Sequence, residues 1–402
     1  MFNIENFTPE ELIKEFGSPL YVYNESIIRE RYRILDKSFN VPNKKILYAC
    51  KANSNLEILK ILKGEGCGID AVSQGEVFLA LKAGFEPKNI LFTGNNVTDE
   101  EIDYIVENKV LLNLDSLSVL ERYGKKYPNT SVCVRINPNV GDGHHDHVIT
   151  GGVESKFGIY ISDIEKIHTI AKKHNLKIVG IHQHIGSNIL NVESFKLAID
   201  VILEQALNFE NLDFIDIGGG IGVPYKPEEQ KLDMEELKNI VNQKFKEFCE
   251  KYGKNVSLWI EPGRFLVAES GYLLVNVNTV KTNPCYKFVG TNSGFNHLVR
   301  PTMYDSYHEI VNLSNLEGQK EVVTVCGNIC ESGDIFAKDR LINQVREGDI
   351  LAILNAGAYG YSMGSNYNFR PLPAEILING NDVRLIRRRE SFEELLRNQV
   401  FS

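Results

Sequence analysis

The chain has little cysteine, no long apolar run and no excess of positive charge, and each shortage removes a class of function. Its seven cysteines are an odd number, scattered without the spacing of a metal site or a disulfide framework. They read as reduced thiols of a cytoplasmic protein. No apolar stretch reaches the ~18 residues needed to cross a bilayer. The start, Met1-Phe2-Asn3-Ile4-Glu5, lacks the basic-then-apolar pattern of a signal peptide. A net charge of -9 argues against nucleic-acid and membrane-surface partners. The one dense basic run, Arg384 to Arg389, reads as a solvated strand end ahead of the helix start Ser391-Phe392-Glu393-Glu394. Low-complexity tracts and internal repeats are also missing. What remains is an ordinary soluble composition, 43% hydrophobic and 24% charged over 402 residues, with length enough for one large domain and a smaller one.

A short strand, Leu20-Tyr21-Val22-Tyr23, follows Pro19 and is expected to join a sheet elsewhere. From about residue 27 apolar runs alternate with amphipathic segments. Expected strands are 46–49, 68–72, 90–93, 111–114, 132–136, 178–184, 214–217 and 258–260. Capping boxes open several of the helices between them: Ser73-Gln74-Gly75-Glu76, Thr98-Asp99-Glu100-Glu101 and Ser162-Asp163-Ile164-Glu165. Eight strands alternating with helices predict a TIM-like (β/α)8 barrel over residues 27–265 rather than an open doubly wound sheet. Beyond Arg264 helical periodicity nearly vanishes until Ser391. Residues 1–26 with 266–402 are therefore expected to form a second, mostly β domain.

Barrel chemistry belongs at the carboxyl ends of the strands, and the unusual residues fall there. Lys51 follows the first strand in Tyr48-Ala49-Cys50-Lys51-Ala52-Asn53, and Asp70 ends the second. His182-Gln183-His184-Ile185-Gly186-Ser187 ends the sixth, Asp216-Ile217-Gly218-Gly219-Gly220 the seventh, and Glu261-Pro262-Gly263-Arg264 the eighth. Singly, a glycine triplet is a tight turn and a strand histidine a core residue; their common placement at one mouth calls for more. A lysine desolvated at a strand end is poised for Schiff-base chemistry with an aldehyde. Glycine-rich backbone after strand seven is a phosphate cradle. Together they point to pyridoxal 5'-phosphate, an electron sink that works best with an anion beside its ring nitrogen. Glu261 is the carboxylate for that place, and His184 is placed against the ring's other face.

The same motifs continue in order with Arg300-Pro301-Thr302-Met303-Tyr304, Cys330-Glu331-Ser332-Gly333-Asp334, Gly357-Ala358-Tyr359 and the stretch Met363 to Arg370. On them the chain resembles, over nearly its whole length, the diaminopimelate decarboxylase family. That family lies in the alanine-racemase-like (fold type III) group of pyridoxal-phosphate enzymes, with the ornithine and arginine decarboxylases. The resemblance implies decarboxylation of meso-2,6-diaminopimelate to L-lysine, the last step of lysine biosynthesis. It implies that Lys51 holds the cofactor, with Asp70, His184 and Glu261 about its ring. Ser187, Gly218, Gly219, Gly220, Gly263, Arg264 and Tyr359 would surround the phosphate. Lys51, His184 and Cys330 are the expected catalytic residues, and Arg264, Arg300, Tyr304, Glu331 and Tyr359 the substrate contacts. A homodimer with shared active sites follows, Cys330 and Glu331 reaching into the partner's site.

The distal set also makes independent chemical sense, since a second amino-acid head needs a guanidinium for its carboxylate and a carboxylate for its ammonium. Ornithine, arginine and carboxynorspermidine decarboxylases need acid there instead, so Arg300 disfavours them. A racemase would need a second base on the opposite face. A silent regulatory homologue sits poorly with the joint presence of Lys51, Glu261 and Cys330. One departure stands out: where the family has aspartate in a Val-Asp-x-Gly stretch, this chain reads Val289-Gly290-Thr291-Asn292-Ser293-Gly294. The His-rich loop Gly141 to His147 is read as a mobile Gly/Asp loop near the mouth, and no metal is expected.

Overall fold

The structure is a computed structural model that describes residues 4–139, 142 and 155–400. The chain divides into two compact units: 31–223 with 230–266, and 1–30 with 224–229 and 267–402.

The first unit is the barrel. Counting strands along the chain after β1 (Leu20–Asn24), its staves are β2 (Lys44–Ala49), β3 (Gly68–Ala71), β4 (Ile90–Phe92) and β5 (Leu111–Leu114). They continue with β6 (Ser131–Asn137), β8 (Lys177–His182), β9 (Phe214–Asp216) and β10 (Ser257–Ile260), while a two-residue β7 (Ile159–Tyr160) flanks β6. All pair in parallel; β10 meets β2 at Leu258↔Lys44, and β5 meets β6 at Asn113↔Cys133, which closes the ring. Leu47, Leu91, Cys133 and Phe214, from alternate staves, fill one buried layer of the interior. Each fully buried aliphatic or aromatic chain of this kind stabilises the fold by about 1.5–3 kcal/mol.

All eight expected strands are present. Four run past their observed ends, those at 68–72, 90–93 and 214–217 by one residue and that at 178–184 by two: β8 stops at His182, so His184 stands on the loop beyond it. Of the capping boxes, Thr98 and Glu101 close theirs reciprocally, as do Ser391 and Glu394. Ser73 caps the Glu76 N–H, but Glu76 Oε2 takes the Val72 N–H at 2.8 Å in place of that of Ser73. Ser162 caps nothing, because residues Ile161–Asp163 wind as a 3-10 turn and the helix Ile164–His174 begins after them.

The second unit is β-rich. Strand β1 lies between β11 (Gly271–Thr282), antiparallel, and β17 (Ala374–Asn379), parallel. The sheet continues outward from β11 through β12 (Lys287–Thr291), β14 (Lys320–Cys326) and β15 (Ile335–Asn343), and beyond β17 through β18 (Asp382–Arg387). Strands β13 (Ile310–Asn312) and β16 (Ile350–Ile353) pair with each other, and β16 joins β11. The basic run is more than a solvated strand end. Arg384 pairs with Glu25 at 3.1 Å, Arg387 with the buried Glu375, and Arg389 donates to the Pro19 carbonyl at 2.6 Å. Asn292 is likewise structural: its Oδ1 accepts from Asn276 N at 3.0 Å and its Nδ2 donates to Ser18 Oγ at 3.0 Å.

Candidate active site at the barrel mouth

Strand β2 ends at Ala49 and the chain turns through Cys50–Ala52, which lifts Lys51 onto the carboxyl rim. The expectation of a desolvated lysine needs correcting: the side chain is 37% exposed, and its Nζ lies 3.2 Å from Asp70 Oδ2. Asp70 is fully buried at the end of β3, where Thr93 Oγ1 donates to its other oxygen. Burial and the Glu261 charge push the Asp70 carboxyl up, while Lys51 and Thr93 hold it down.

Glu261 follows β10, the stave next to β2, and His182 ends β8; they are 4% and 1% exposed, and His182 Nε2–H donates to Glu261 Oε2 at 2.9 Å. Burial would raise Glu261, but His182, Lys51 and Arg135 outweigh it and hold the carboxyl below the usual range. Its neighbour Asp216 behaves oppositely: burial first, then the Glu261 charge, push it well above the usual range. Glu261 Oε1 and Asp216 Oδ2 have no N–H or O–H donor among the described residues. A raised Asp216 beside a lowered Glu261 is the pair of opposite directions expected of two buried carboxyls that share a site. The cluster thus favours charge on one carboxylate, Glu261, over charge on both.

The Gly218 to Gly220 turn follows β9. Gly218 has φ +74, and a Cβ on Gly219 would stand 2.1 Å from the Glu261 carbonyl, so this turn accepts no side chain. The Gly219 N–H donates to His184 Nδ1 at 3.1 Å, which places that ring's proton on Nε2. Burial, with Lys51 and Arg135 nearby, drives the His184 imidazolium well below its ordinary range, so the ring is neutral. Arg264, buried after β10, donates from Nη2 to Ser187 Oγ at 2.9 Å. Gly263 precedes it and is buried too.

Lys51, Asp70, His184, Ser187, the three glycines, Glu261, Gly263 and Arg264 thus gather in the barrel unit. Arg300, Tyr304, Cys330, Glu331 and Tyr359 belong to the β-rich unit. There Arg300 is 1% exposed, Cys330 is an exposed thiol whose N–H donates to Asn368 Oδ1 at 2.7 Å, and Tyr359 has φ +56. The loop Gly141 to His147 lies outside the described residues except for Asp142, which accepts from Asn191 Nδ2 at 2.7 Å.

Sequence reasoning gave Arg135 and Thr93 no place in the site, read Glu76 only as part of a capping box, and left His182 and Asp216 without roles. Arg135 carries a signal: it is the one charge in the strand Ser131–Asn137, 7% exposed, with its guanidinium 4.5 Å from the Phe157 ring centre. Glu76 sits close enough to Asp70 and Lys51 to feel both. Burial first, then the Asp70 charge, raise its carboxyl to about 7, against the Val72 N–H and Lys51. A raised folded-state value means stability present at acid pH is lost as pH climbs from the unfolded value of about 4.3 through about 7. Glu76→Gln should therefore melt progressively higher than wild type across that window, by a difference worth on the order of 2 kcal/mol at pH 8. Parallel melting curves for the two proteins from pH 4 to 8 would dismiss the assignment.

The donor set fits pyridoxal phosphate: an exposed amine, a glutamate kept charged, an imidazole kept neutral, and a serine–arginine pair beside a glycine turn. A closed parallel barrel with this mouth defines a pyridoxal-dependent decarboxylase. The family model "Pyridoxal-dependent decarboxylase, pyridoxal binding domain" matches residues 25–268. The chain is 46% identical to the diaminopimelate decarboxylase of Methanothermobacter thermautotrophicus, covering 97% of this chain and 93% of the relative. It is 38% identical to the diaminopimelate decarboxylase of Escherichia coli K12, over 97% and 96%. A solved diaminopimelate decarboxylase from M. jannaschii, in complex with L-lysine, superposes with a TM-score of 0.89 at 35% identity, over 98% of this chain and 94% of that one. The chain belongs to the diaminopimelate decarboxylase family of pyridoxal-phosphate enzymes.

Proposed function

We propose that this enzyme removes carbon dioxide from one amino-acid head of meso-2,6-diaminopimelate and releases L-lysine. The observation that carries the reading is the joint presence, at one mouth, of the Lys51–Asp70 pair and a Glu261 held charged by His182. Pyridoxal phosphate, when bound, supplies the electron sink that takes up the pair left by departing carbon dioxide. Everything else is the work of the chain. Lys51 provides the amine that carries the cofactor. Glu261 offers its charge to the ring nitrogen, with His182 aiming it and Asp216 limiting the local charge. His184, neutral, offers a flat face that adds no charge to the ring. Ser187, Arg264 and the N–H groups of the glycine turn bind the phosphate.

The distal end of the substrate is assigned to Arg300, Tyr304 and Glu331, with Arg264 and Tyr359 nearby in role, and the proton that replaces carbon dioxide to Cys330. Clamping that end sets the scissile carboxylate perpendicular to the cofactor, which converts binding into rate. Cys330 and Glu331 are assigned to the partner subunit's site in a homodimer; the exposure of the Cys330 loop supports this. The seven free thiols support a cytoplasmic enzyme. Among the described residues no helix is long and apolar enough to cross a membrane.

The test is turnover of defined amino acids by the cofactor-loaded protein, read as released carbon dioxide with lysine quantified. Diaminopimelate should be decarboxylated with a kcat/KM at least about a hundredfold above ornithine, arginine or lysine, the discrimination of a charged, bidentate arginine–carboxylate contact. A preference for ornithine or a carboxylated polyamine would overturn the assignment.

A further inference from the structure

Within the β-rich unit, the stretch from Arg300 to Ile310 folds back on itself. Residues Arg300–Tyr304 make a short helical turn, and Asp305 at φ 49 ends it, its N–H returning to the Arg300 carbonyl. The reversal brings Ser306 and His308 back beneath the Arg300 side chain. Strand β13 then enters antiparallel to β16, Ile310 opposite Ile353, and the Leu354 N–H donates to the Glu309 carbonyl at 2.9 Å. That register sets His308 beside Leu354.

The partners of His308 fix its chemical form. Nδ1 lies 2.8 Å from the Leu354 carbonyl oxygen, which can only accept, so Nδ1 carries the proton. Nε2 lies 3.1 Å from Arg300 Nη1, which can only donate, so Nε2 presents its lone pair. The ring is a neutral imidazole with each nitrogen committed, and it is fully buried. Arg300 is held at two further points: Nη2 donates to Ser306 Oγ at 3.3 Å, and the Tyr225 ring centre stands 4.6 Å from the guanidinium carbon. Tyr225 also meets the His308 ring edge-on, at 5.1 Å and 75°. A guanidinium with one edge hydrogen-bonded to imidazole and serine and one face on a phenol has little rotational freedom.

We propose that His308 is the positioning residue of the distal carboxylate receiver: its Nε2 lone pair fixes the plane of the Arg300 fork and thereby selects substrates with a second amino-acid head. The inference rests on the reading that Arg300 receives that head. It predicts a binding effect without a chemical one, because His308 acts through Arg300 and not at the reacting bond. A charged hydrogen bond corresponds to roughly ten- to a hundredfold in affinity, and loss of its orienting partner is expected at the lower end.

The experiment uses the cofactor-loaded enzyme with meso-diaminopimelate as substrate and L-lysine as product inhibitor, since lysine keeps the head that was not decarboxylated. His308→Leu should raise KM about tenfold with kcat within about twofold, and weaken lysine inhibition by the same factor. His308→Gln, whose Oε1 can stand in for Nε2, should restore both, whereas His308→Asn, with its acceptor nearer the Nδ1 position, should not. In an Arg300→Met background, His308→Leu should add less than about twofold. If His308→Leu does not fold, the Gln and Asn variants decide alone, and equal KM values for the two overturn the proposal. A fall in kcat at constant KM, or an undiminished effect in the Arg300→Met background, overturns it as well. Should Arg300→Met itself leave KM and lysine inhibition unchanged, the distal-head reading fails and the role of His308 fails with it. A raised KM for Arg300→Met beside an unchanged one for His308→Leu refutes the positioning role alone.

Discussion

Lys51→Ala should lower kcat for meso-diaminopimelate by about ten-thousandfold or more, the upper end of what a positioned acid–base group contributes, because the same amine is also the covalent anchor. The phosphate end of the cofactor should still bind, since Ser187, Arg264 and the glycine turn do not depend on the lysine. The variant should therefore take up pyridoxal phosphate but lack the absorbance of the lysine-bound form. Folding should survive. Asp70 loses the cation that holds its carboxyl down, and a buried acid in that position takes up a proton rather than remain charged. In the wild-type enzyme, borohydride should fix the cofactor to the peptide that contains Lys51. Recovery of the label on any other lysine would end the assignment.

The barrel was legible because each stave is a short apolar run followed by a polar helix start, a pattern that survives without any tertiary information. Placement of Lys51, Asp70, Glu261 and the 218–220 glycines followed from that, since a residue just past a strand end can only lie at the mouth. Side-chain commitments were less legible. Glu76 looked like the second half of a capping box, yet its carboxylate accepts from Val72 N–H, one residue earlier, within reach of the Asp70 and Lys51 charges. Lys51 was expected to be desolvated; which neighbour an amine meets depends on β3 lying beside β2, and that pairing is not written in either strand alone. His182 and Asp216 looked like bystanders in their motifs. They acquire a role only when β8, β9 and β10 lie side by side and bring three titratable groups within 4.8 Å. The arginines of β18 looked solvated for a like reason: Glu25 is far away in sequence, and Glu375 meets Arg387 only once β17 pairs with β18.

Mixing inactive subunits should restore activity. Cys330→Ala removes the group assigned to deliver a proton, a loss of about a hundred- to ten-thousandfold, and Lys51→Ala removes the cofactor anchor. If each site takes its lysine from one chain and its thiol from the other, a mixed dimer contains one site with both defects and one with neither. Random re-pairing of equal amounts makes about half of the dimers mixed, so about a quarter of wild-type turnover should return. The physical basis lies in the Cys330 loop. The thiol is exposed and its N–H is tied to Asn368, between Tyr367 and Phe369, which are 47% and 46% exposed. Two large rings left open beside a motif-bearing cysteine are what a self-association surface requires, since burying them removes apolar area from water. Size-exclusion chromatography with light scattering establishes the dimer, and native mass spectrometry counts the mixed species. With mixed dimers present at the expected share, turnover no higher than that of the separate variants would mean that each site is built from one chain, with Cys330 and Lys51 acting in the same subunit.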